Sequence, residues 1–310
     1  MRRHVPAVPT LAVAGVLLLA ACGSQGAAPP TSGPAPARAS GSPRAADASS
    51  CHRPVPSSGA ALPEESSGSQ TDGVGTVLVA GCPVFEVTNA TAQTLTYTIT
   101  FQLLSDSGAA MASAQQTLPS VRPGRTVRQA VDPGRLPPGV GGVLRTRIIK
   151  VRSVPTTEVP SRGGPCPASG VHVYADDGDA AMGLRVVGLH LTNCGTRTYR
   201  LDGYPQLQLL DEGHRPVDGV SILHGGDAVA AGTGADGTPQ PLALRPGESA
   251  RAGLVWRNTT GLGSDPVNAP YVRVVARPGA ATVTVTPELD LGTTGRLGVG
   301  AWERDDPSRR

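Results

Sequence analysis

The chain is poor in aromatic residues, which make up 3% of it, and it holds a single lysine, Lys150. Two Trp, five Tyr and two Phe in 310 residues are too few to supply an aromatic sugar-binding platform, which needs several rings on one face. Cationic clustering is also missing. The densest basic stretch, RTRIIKVR, carries Arg145, Arg147, Lys150 and Arg152, but its parity breaks at Ile148-Ile149, so the charges fall on both faces of a regular strand. That pattern predicts a solvated edge strand and argues against a nucleic-acid face. No apolar run is long enough to span a bilayer. The sequence also lacks C-x-x-C, H-E-x-x-H, G-x-S-x-G, S-x-x-K and the P-loop, so the zinc-ribbon, thioredoxin, zincin, hydrolase-elbow, β-lactamase and nucleotide-triphosphate chemistries have no motif to stand on. A triad assembled from distant loops is defined by geometry and is not addressed by these absences.

What is present begins at the N-terminus. Arg2 and Arg3 precede the apolar run Thr10 to Ala21, as in a secretory signal. The run ends in Leu19-Ala20-Ala21-Cys22, which resembles the bacterial lipobox and implies residues 1–21 as a lipoprotein signal peptide with Cys22 as the acylated first residue of the mature chain. The chain carries 27 basic and 24 acidic residues, and loss of Arg2 and Arg3 leaves it near +1, so no electrostatic partner follows from its basic pI. Residues 22–50 are dominated by Gly, Ala, Pro and Ser, with too little apolar surface to offset the entropy of ordering. As a flexible coil this tether has a root-mean-square span of about 30 Å.

Four further cysteines follow, Cys51, Cys82, Cys166 and Cys194. An exported chain makes an even set a disulfide framework, with three pairings open. Sequential pairing gives two closed loops of similar length, each near the start of a candidate domain, and each bridge would stabilise by about 3 kcal/mol through the unfolded state.

Beyond Cys51 there is almost no helical periodicity. Short alternating runs recur between Gly and Pro clusters: VGTVLVA (74–80), LTYTITFQLL (95–104), TVRQAV (126–131), LRVVGLHLTN (184–193), ARAGLVW (250–256), YVRVVA (271–276) and ATVTVTPEL (281–289). These predict an all-β chain of sandwich or barrel type. The phrase also repeats. A strand ends in Thr88-Asn89 and again in Thr192-Asn193, a Tyr follows (Tyr97; Tyr199), Gln-Leu-Leu leads to an acidic-Gly turn, and Arg-Pro-Gly (122–124; 245–247) opens another strand. Asn closes a strand because it tolerates positive φ and bonds its own backbone, and Pro-Gly makes a turn into the next strand. Two β-sandwich domains are therefore expected, at residues 51–160 and 161–310.

The second of these carries Cys166, AAMGLRVVGLHLTNCG (180–195), Leu201-Asp202-Gly203-Tyr204-Pro205, LRPGESA, Trp256 and LDLGTTGRLGVGAW (289–302). Together they resemble domain-of-unknown-function family 4232 of actinobacterial exported lipoproteins, over residues 165 to 303. The resemblance implies an all-β, immunoglobulin-like domain at the cell surface and carries no activity with it. The first half resembles, more loosely, immunoglobulin-like modules of exported bacterial proteins.

Gly232-Thr233-Gly234-Ala235-Asp236-Gly237 matches G-x-G-x-x-G, but Pro239 and Pro241 forbid the helix that a dinucleotide site needs, so a loop is expected. YADDGDA offers Asp176, Asp177 and Asp179 to calcium without the spacing of an EF-hand loop, and an exposed turn is the plainer reading. The histidines His52, His172, His190, His214 and His224 show no metal spacing, although His172 and His190 could meet across neighbouring strands. Trp256 is expected in the core, Tyr204 buried beside the Gly203–Pro205 corner, and Tyr199 and Tyr271 at an exposed surface. No catalytic, cofactor or metal residue is assigned. The expectation is a chain anchored through the lipid on Cys22 to the extracytoplasmic face of the cell membrane, binding an envelope protein or wall component without catalysis and without nucleic acid. A structural spacer or accessory subunit is the alternative, and a cell-wall enzyme with an unconventional site stands third.

Overall fold

In LTYTITFQLL apolar and polar residues alternate, so an extended chain puts Tyr97, Ile99, Phe101 and Leu103 on one face and Thr98, Thr100 and Gln102 on the other. The computed structural model of the chain, which describes residues 73–79, 82–105, 107–133, 145–261 and 265–305, makes this stretch a ten-residue strand with the first set buried and the second half-buried. The described residues are all-β, with strands joined by turns and a single 3-10 turn at Thr156–Glu158. The expected signal peptide and tether, Cys22 and Cys51 lie outside them, and with Cys51 the expected Cys51–Cys82 bridge.

The N-terminal half contains β1 (Val74–Val79), β2 (Cys82–Thr88), β3 (Leu95–Leu104), β4 (Ala110–Val121), β5 (Thr126–Ala130) and β6 (Arg145–Pro155). They form two three-stranded antiparallel sheets, β1–β2–β5 and β4–β3–β6. Phe85 and Val87 of the first share a core with Ile99, Phe101, Leu103, Ile148 and Val151 of the second. The rings of Phe85 and Phe101 meet at 5.2 Å across that core. The parity break in RTRIIKVR is a β-bulge: Thr100 pairs with Lys150 and Phe101 with Ile148, leaving Ile149 as the extra residue. It is 48% exposed.

The C-terminal half runs through β7 (Val171–Ala175), β8 (Asp179–Ala181), β9 (Leu184–Asn193), β10 (Tyr199–Leu201), β11 (Gln206–Leu210), β12 (Ser221–His224), β13 (Leu242–Leu244), β14 (Ser249–Arg257), β15 (Val267–Ala269), β16 (Tyr271–Val275), β17 (Thr282–Val285), β18 (Leu289–Gly292), β19 (Arg296–Val299) and β20 (Glu303–Arg304). The main sheet has the order β12–β19–β14–β9–β7, with β8 continuing along β9 and β20 along β14. A three-stranded sheet, β11–β16–β17, and the ribbons β10–β13 and β15–β18 complete it. Leu189, Leu191, Leu254 and Trp256 share a core with Leu209, Val272, Val274 and Val285. Trp256 and Trp302 are both buried with their N–H groups satisfied, the first by Asp290 at 2.8 Å and the second by the Ala276 carbonyl at 2.9 Å. The run ATVTVTPEL does not form one strand. Pro287 and Glu288, the latter at φ 57°, divide β17 from β18.

The repeated phrase is a repeated set of hydrogen bonds. Asn89 is fully buried, and its Nδ2 donates to the carbonyls of Gln93 (2.8 Å) and Val121 (2.7 Å) while its Oδ1 accepts from the Thr91 amide (3.0 Å). Asn193 does the same with Arg197 (2.8 Å), Leu244 (2.9 Å) and the Gly195 amide (3.1 Å). The backbones match as well. Asn89 N donates to Arg125 O and Gly124 N to Asn89 O; Asn193 N donates to Glu248 O and Gly247 N to Asn193 O. Thr-Asn and Arg-Pro-Gly are thus two sides of one buried lock, present in each half. The expected equivalence of Tyr97 and Tyr199 fails. Leu95 pairs with Val121, next to the first lock, and Tyr199 pairs with Leu244, next to the second, so Tyr199 corresponds to Leu95. The offset lies in the spacing, eight residues from Asn89 to Tyr97 against six from Asn193 to Tyr199. Further on, the corner Asp202–Pro205 splits the second copy of the long strand into β10 and β11, paired with different partners, β13 and β16.

The two halves pack through a small junction. Val154 of β6, Leu210 and Tyr271 form a buried cluster joined by Val159. The 3-10 turn adds Glu158, which accepts from Arg273 at 2.7 and 3.1 Å and from the Thr284 hydroxyl at 2.5 Å.

Candidate functional site

The stretch YADDGDA leaves the end of β7, where Ala175 still pairs with Leu189 of β9. The next residue interrupts the ladder. The Asp176 carboxylate accepts hydrogen bonds from the amides of Gly178 (3.0 Å) and Gly188 (2.8 Å), and its other oxygen lies 2.9 Å from His190 Nε2. A Cβ on Gly188 would stand 2.3 Å from that carboxylate, so the arrangement depends on glycine there. His190 is further fixed by stacking on Tyr174, with ring centroids 4.9 Å apart. Past this plug the chain returns to β9 as the separate short strand β8, paired with Val186, Arg185 and Leu184. The plug therefore turns one edge strand into two, with Asp177 and Asp179 at the break.

Beside β8 opens a cleft of about 540 Å³. Its lining includes Asp177, Asp179 and Ala180, the apolar groups of Val187, Trp256 and Leu289, and the carboxylates Glu212, Glu288 and Asp290. Asp290 is committed: it accepts from Trp256 Nε1 (2.8 Å), Asn258 Nδ2 (2.9 Å) and Arg185 Nη2 (3.4 Å). Glu288 and Glu212 are committed to the junction. Arg152 donates to Glu288 at 2.7 and 2.6 Å and to Glu212 at 3.0 and 3.3 Å, and lies 5.6 Å from the Tyr271 ring centroid. Asp177 and Asp179 make no ion pair among the described residues.

Glu288 also lines a second cleft, of about 530 Å³, between the halves, with Thr98, Thr100, Gln115 and Thr117 from the outer face of β3 and β4. Tyr174 borders it, covered on one side by His190 and approached by the Arg162 guanidinium at 4.7 Å. The Arg152–Glu288 pair is thus the partition where the halves meet. Electrostatics follow from this packing. Burial works against charge on Arg152, but the carboxylates of Glu288 and Glu212 outweigh it and hold its pKa above the ordinary range. Burial raises Tyr271. His214, 3.4 Å from the Ser153 hydroxyl and 4.2 Å from the Tyr271 ring, is lowered by burial first, with Arg152 acting in the same direction.

Several expectations from the sequence change here. Arg152 is not a solvated edge charge; its side chain is 12% exposed and clamps the junction. Tyr271 is buried rather than surface-exposed, and Tyr204 is half-buried, stacked on His224 at 4.0 Å. His172 and His190 do not act together: His172 meets the Ser161 hydroxyl at 2.8 Å, whereas His190 holds Asp176. No group of three or more His, Cys, Asp or Glu placed to hold a metal occurs among the described residues. The G-x-G-x-x-G segment is a loop, and its Ala235 is buried against Gly226, Gly253 and Gly300. Cys166 and Cys194 form a disulfide with Cα atoms 5.6 Å apart, beside the Asn193 lock. The junction residues Glu158, Glu212 and Glu288 escaped sequence reading because their partners lie 60 to 136 residues away.

Residues 166–303 match the family model described as "Domain of unknown function (DUF4232)". That span contains β7 to β19 in full, and with them the Asp176 plug, the cleft beside β8 and the Asn193 lock. No curated protein matches the chain.

Proposed function

We propose that the chain is a lipid-anchored cell-envelope protein of two β-sandwich modules, divided near residue 160, that acts by non-catalytic binding at the cleft beside β8. The observation that carries the binding site is the uneven commitment of its carboxylates. Asp290, Glu212 and Glu288 are held by Trp256, Asn258, Arg185 and Arg152, which fixes the walls, while Asp177 and Asp179 at the rim make no ion pair among the described residues. Pre-set walls reduce the ordering cost of binding. Anchoring rests on the Leu19-Ala20-Ala21-Cys22 sequence, followed by a tether of Gly, Ala, Pro and Ser. The membrane contact is then the lipid on Cys22, and the partner is an envelope protein or wall component.

The test is crosslinking followed by pull-down from intact cells, comparing the wild type with Cys22→Ala. A reproducible partner captured by the anchored form supports the reading, and no partner contradicts it. If Cys22→Ala leaves the protein in the membrane fraction, the lipid anchor is wrong.

A structural spacer is the second reading, favoured by the polar clamp at the junction, which stiffens the path from one half to the other. A spacer tolerates substitution of Asp177 and Asp179 without loss of cellular role; a binding module does not.

A further inference from the structure

We infer that the free edge of β8 is a peptide-docking strand, taking an extended segment of another protein that carries Lys or Arg at alternating positions. The inference deepens the binding-module reading and rests on it.

Three independent features converge on this strand. The first is its edge. Among the described residues β8 pairs only with β9, and Asp179, Ala180 and Ala181 are all exposed. An unpaired edge offers a row of backbone donors and acceptors to an incoming strand, and proteins usually blunt such edges with Pro, Lys or a covering segment. The edge strand β4 carries Pro119. β8 carries two alanines, which put no bulk or positive charge in the way.

The second feature is the space beside it. The cleft of about 540 Å³ is lined by Asp177–Ala180 together with residues of β9, β14 and β18, so a strand added to the edge of β8 runs beside it. Successive side chains of an extended segment point to opposite faces. One set therefore enters the cleft, over Val187 and Leu289, and the other stays outside.

The third is charge. The lining holds five carboxylates, Asp177, Asp179, Glu212, Glu288 and Asp290, with Arg185 its one basic residue. Arg152 and Lys150 reach Glu288 and Glu212 from the N-terminal half, and Arg185 reaches Asp290, which leaves Asp177 and Asp179 with no counter-charge among the described residues. Alternating cationic side chains supply it. Backbone pairing gives affinity and the side-chain pockets give specificity, the division of labour seen when a peptide adds to a sheet. The Asp176 plug is what makes this possible: by breaking the β7 edge and holding Gly178 at φ 69°, it presents β8 as a separate strand at the cleft.

The experiment titrates the full mature chain with three fluorescent hexapeptides: alternating Lys-Val, alternating Glu-Val, and Lys-Val with N-methyl groups on alternate amides. The Lys-Val peptide binds, its affinity falls about tenfold when Asp177→Asn and Asp179→Asn are combined, and the N-methylated and Glu-Val peptides do not bind. Binding slows amide exchange at Ala180, whose N–H points away from β9, and leaves Ala181, paired with Leu184 at the hairpin, unchanged. Both Asn substitutions are at exposed rim carboxylates, so an unchanged melting temperature verifies the fold. Equal binding of the Glu-Val peptide, unchanged affinity on N-methylation, or no binding of the Lys-Val peptide would each overturn the inference. So would a dimer of the chain that dissociates on Ala180→Pro, since the occupant would then be a second copy. The broader reading fails separately. A cellular partner captured equally by the wild type and the double Asn variant overturns the docking strand and leaves the binding module standing, whereas peptide binding without any cellular partner contradicts the binding module.

Discussion

Arg152 on β6 holds Glu288 through two hydrogen bonds, Nε to Oε1 at 2.7 Å and Nη2 to Oε2 at 2.6 Å, across 136 residues of sequence. The pair joins the halves, and its Glu288 lines both clefts. Arg152→Met removes five donors from a side chain that is 12% exposed and leaves Glu288 without its main partner. The expected loss is about 2 kcal/mol, the scale of hydrogen bonds to charged groups with allowance for the partial exposure of the carboxylates. Urea unfolding followed by tryptophan fluorescence measures it, and NMR residual dipolar couplings should show the halves losing their fixed orientation. An unchanged midpoint and unchanged couplings would remove the clamp from the account.

The two buried locks should respond alike. Asn89→Ala and Asn193→Ala each strand two backbone carbonyls that the side-chain amide had satisfied. Each substitution should cost about 1–3 kcal/mol. Substitution of the exposed Asp202 serves as control and should fall within about 0.5 kcal/mol of the wild type. A marked effect at Asn193 with none at Asn89 would deny that the halves share one lock.

Acid should loosen the junction through His214. Its folded pKa lies below its ordinary value near 6.5, chiefly because burial disfavours the imidazolium. A depressed histidine binds protons more readily when unfolded, so its contribution is fully present above the unfolded value and is lost as pH falls through the folded one. Wild-type stability should therefore drop on acidification below about 6.5, and His214→Gln should flatten that part of the curve. Equal slopes for the two proteins would rule the histidine out.

The loop that carries the G-x-G-x-x-G sequence is predicted to depend on its neighbours' missing side chains. A Cβ on Gly253 would lie 2.6 Å from the Cβ of Ala235. Gly253→Ala should push the loop off β14 and cost about 1–3 kcal/mol, as overpacking does. The combined change Ala235→Gly with Gly253→Ala should recover part of the loss. Failure to recover would place the strain elsewhere.

How much of this was legible beforehand depends on the reach of each interaction. LTYTITFQLL and LRVVGLHLTN give β3 and β9 with their observed bounds, because period-two burial is local. Thr-Asn and Arg-Pro-Gly marked the lock because turn chemistry confines Asn and Gly to few roles. The Tyr97–Tyr199 alignment failed because it matched residue type and not spacing: the two tyrosines stand eight and six residues beyond their Asn, and the register counts from the lock. The sequence-read turn at YADDGDA hid a division of labour among three aspartates. Asp176 is internal because Gly188 and His190, twelve and fourteen residues on, make room and a partner for it, while Asp177 and Asp179 stay outside. Arg152 was misread for the same reason: its carboxylates come from loops of the other half.

The account stands most directly on where a partner touches the protein. A photo-crosslinking amino acid placed at Ala180, and separately at the exposed Ile222 of β12 as control, can be activated in intact cells. The prediction is a crosslinked protein adduct at position 180, absent at 222 and lost when Asp177→Asn and Asp179→Asn are added. An adduct that forms equally at both positions, or that survives removal of the two carboxylates, would contradict it.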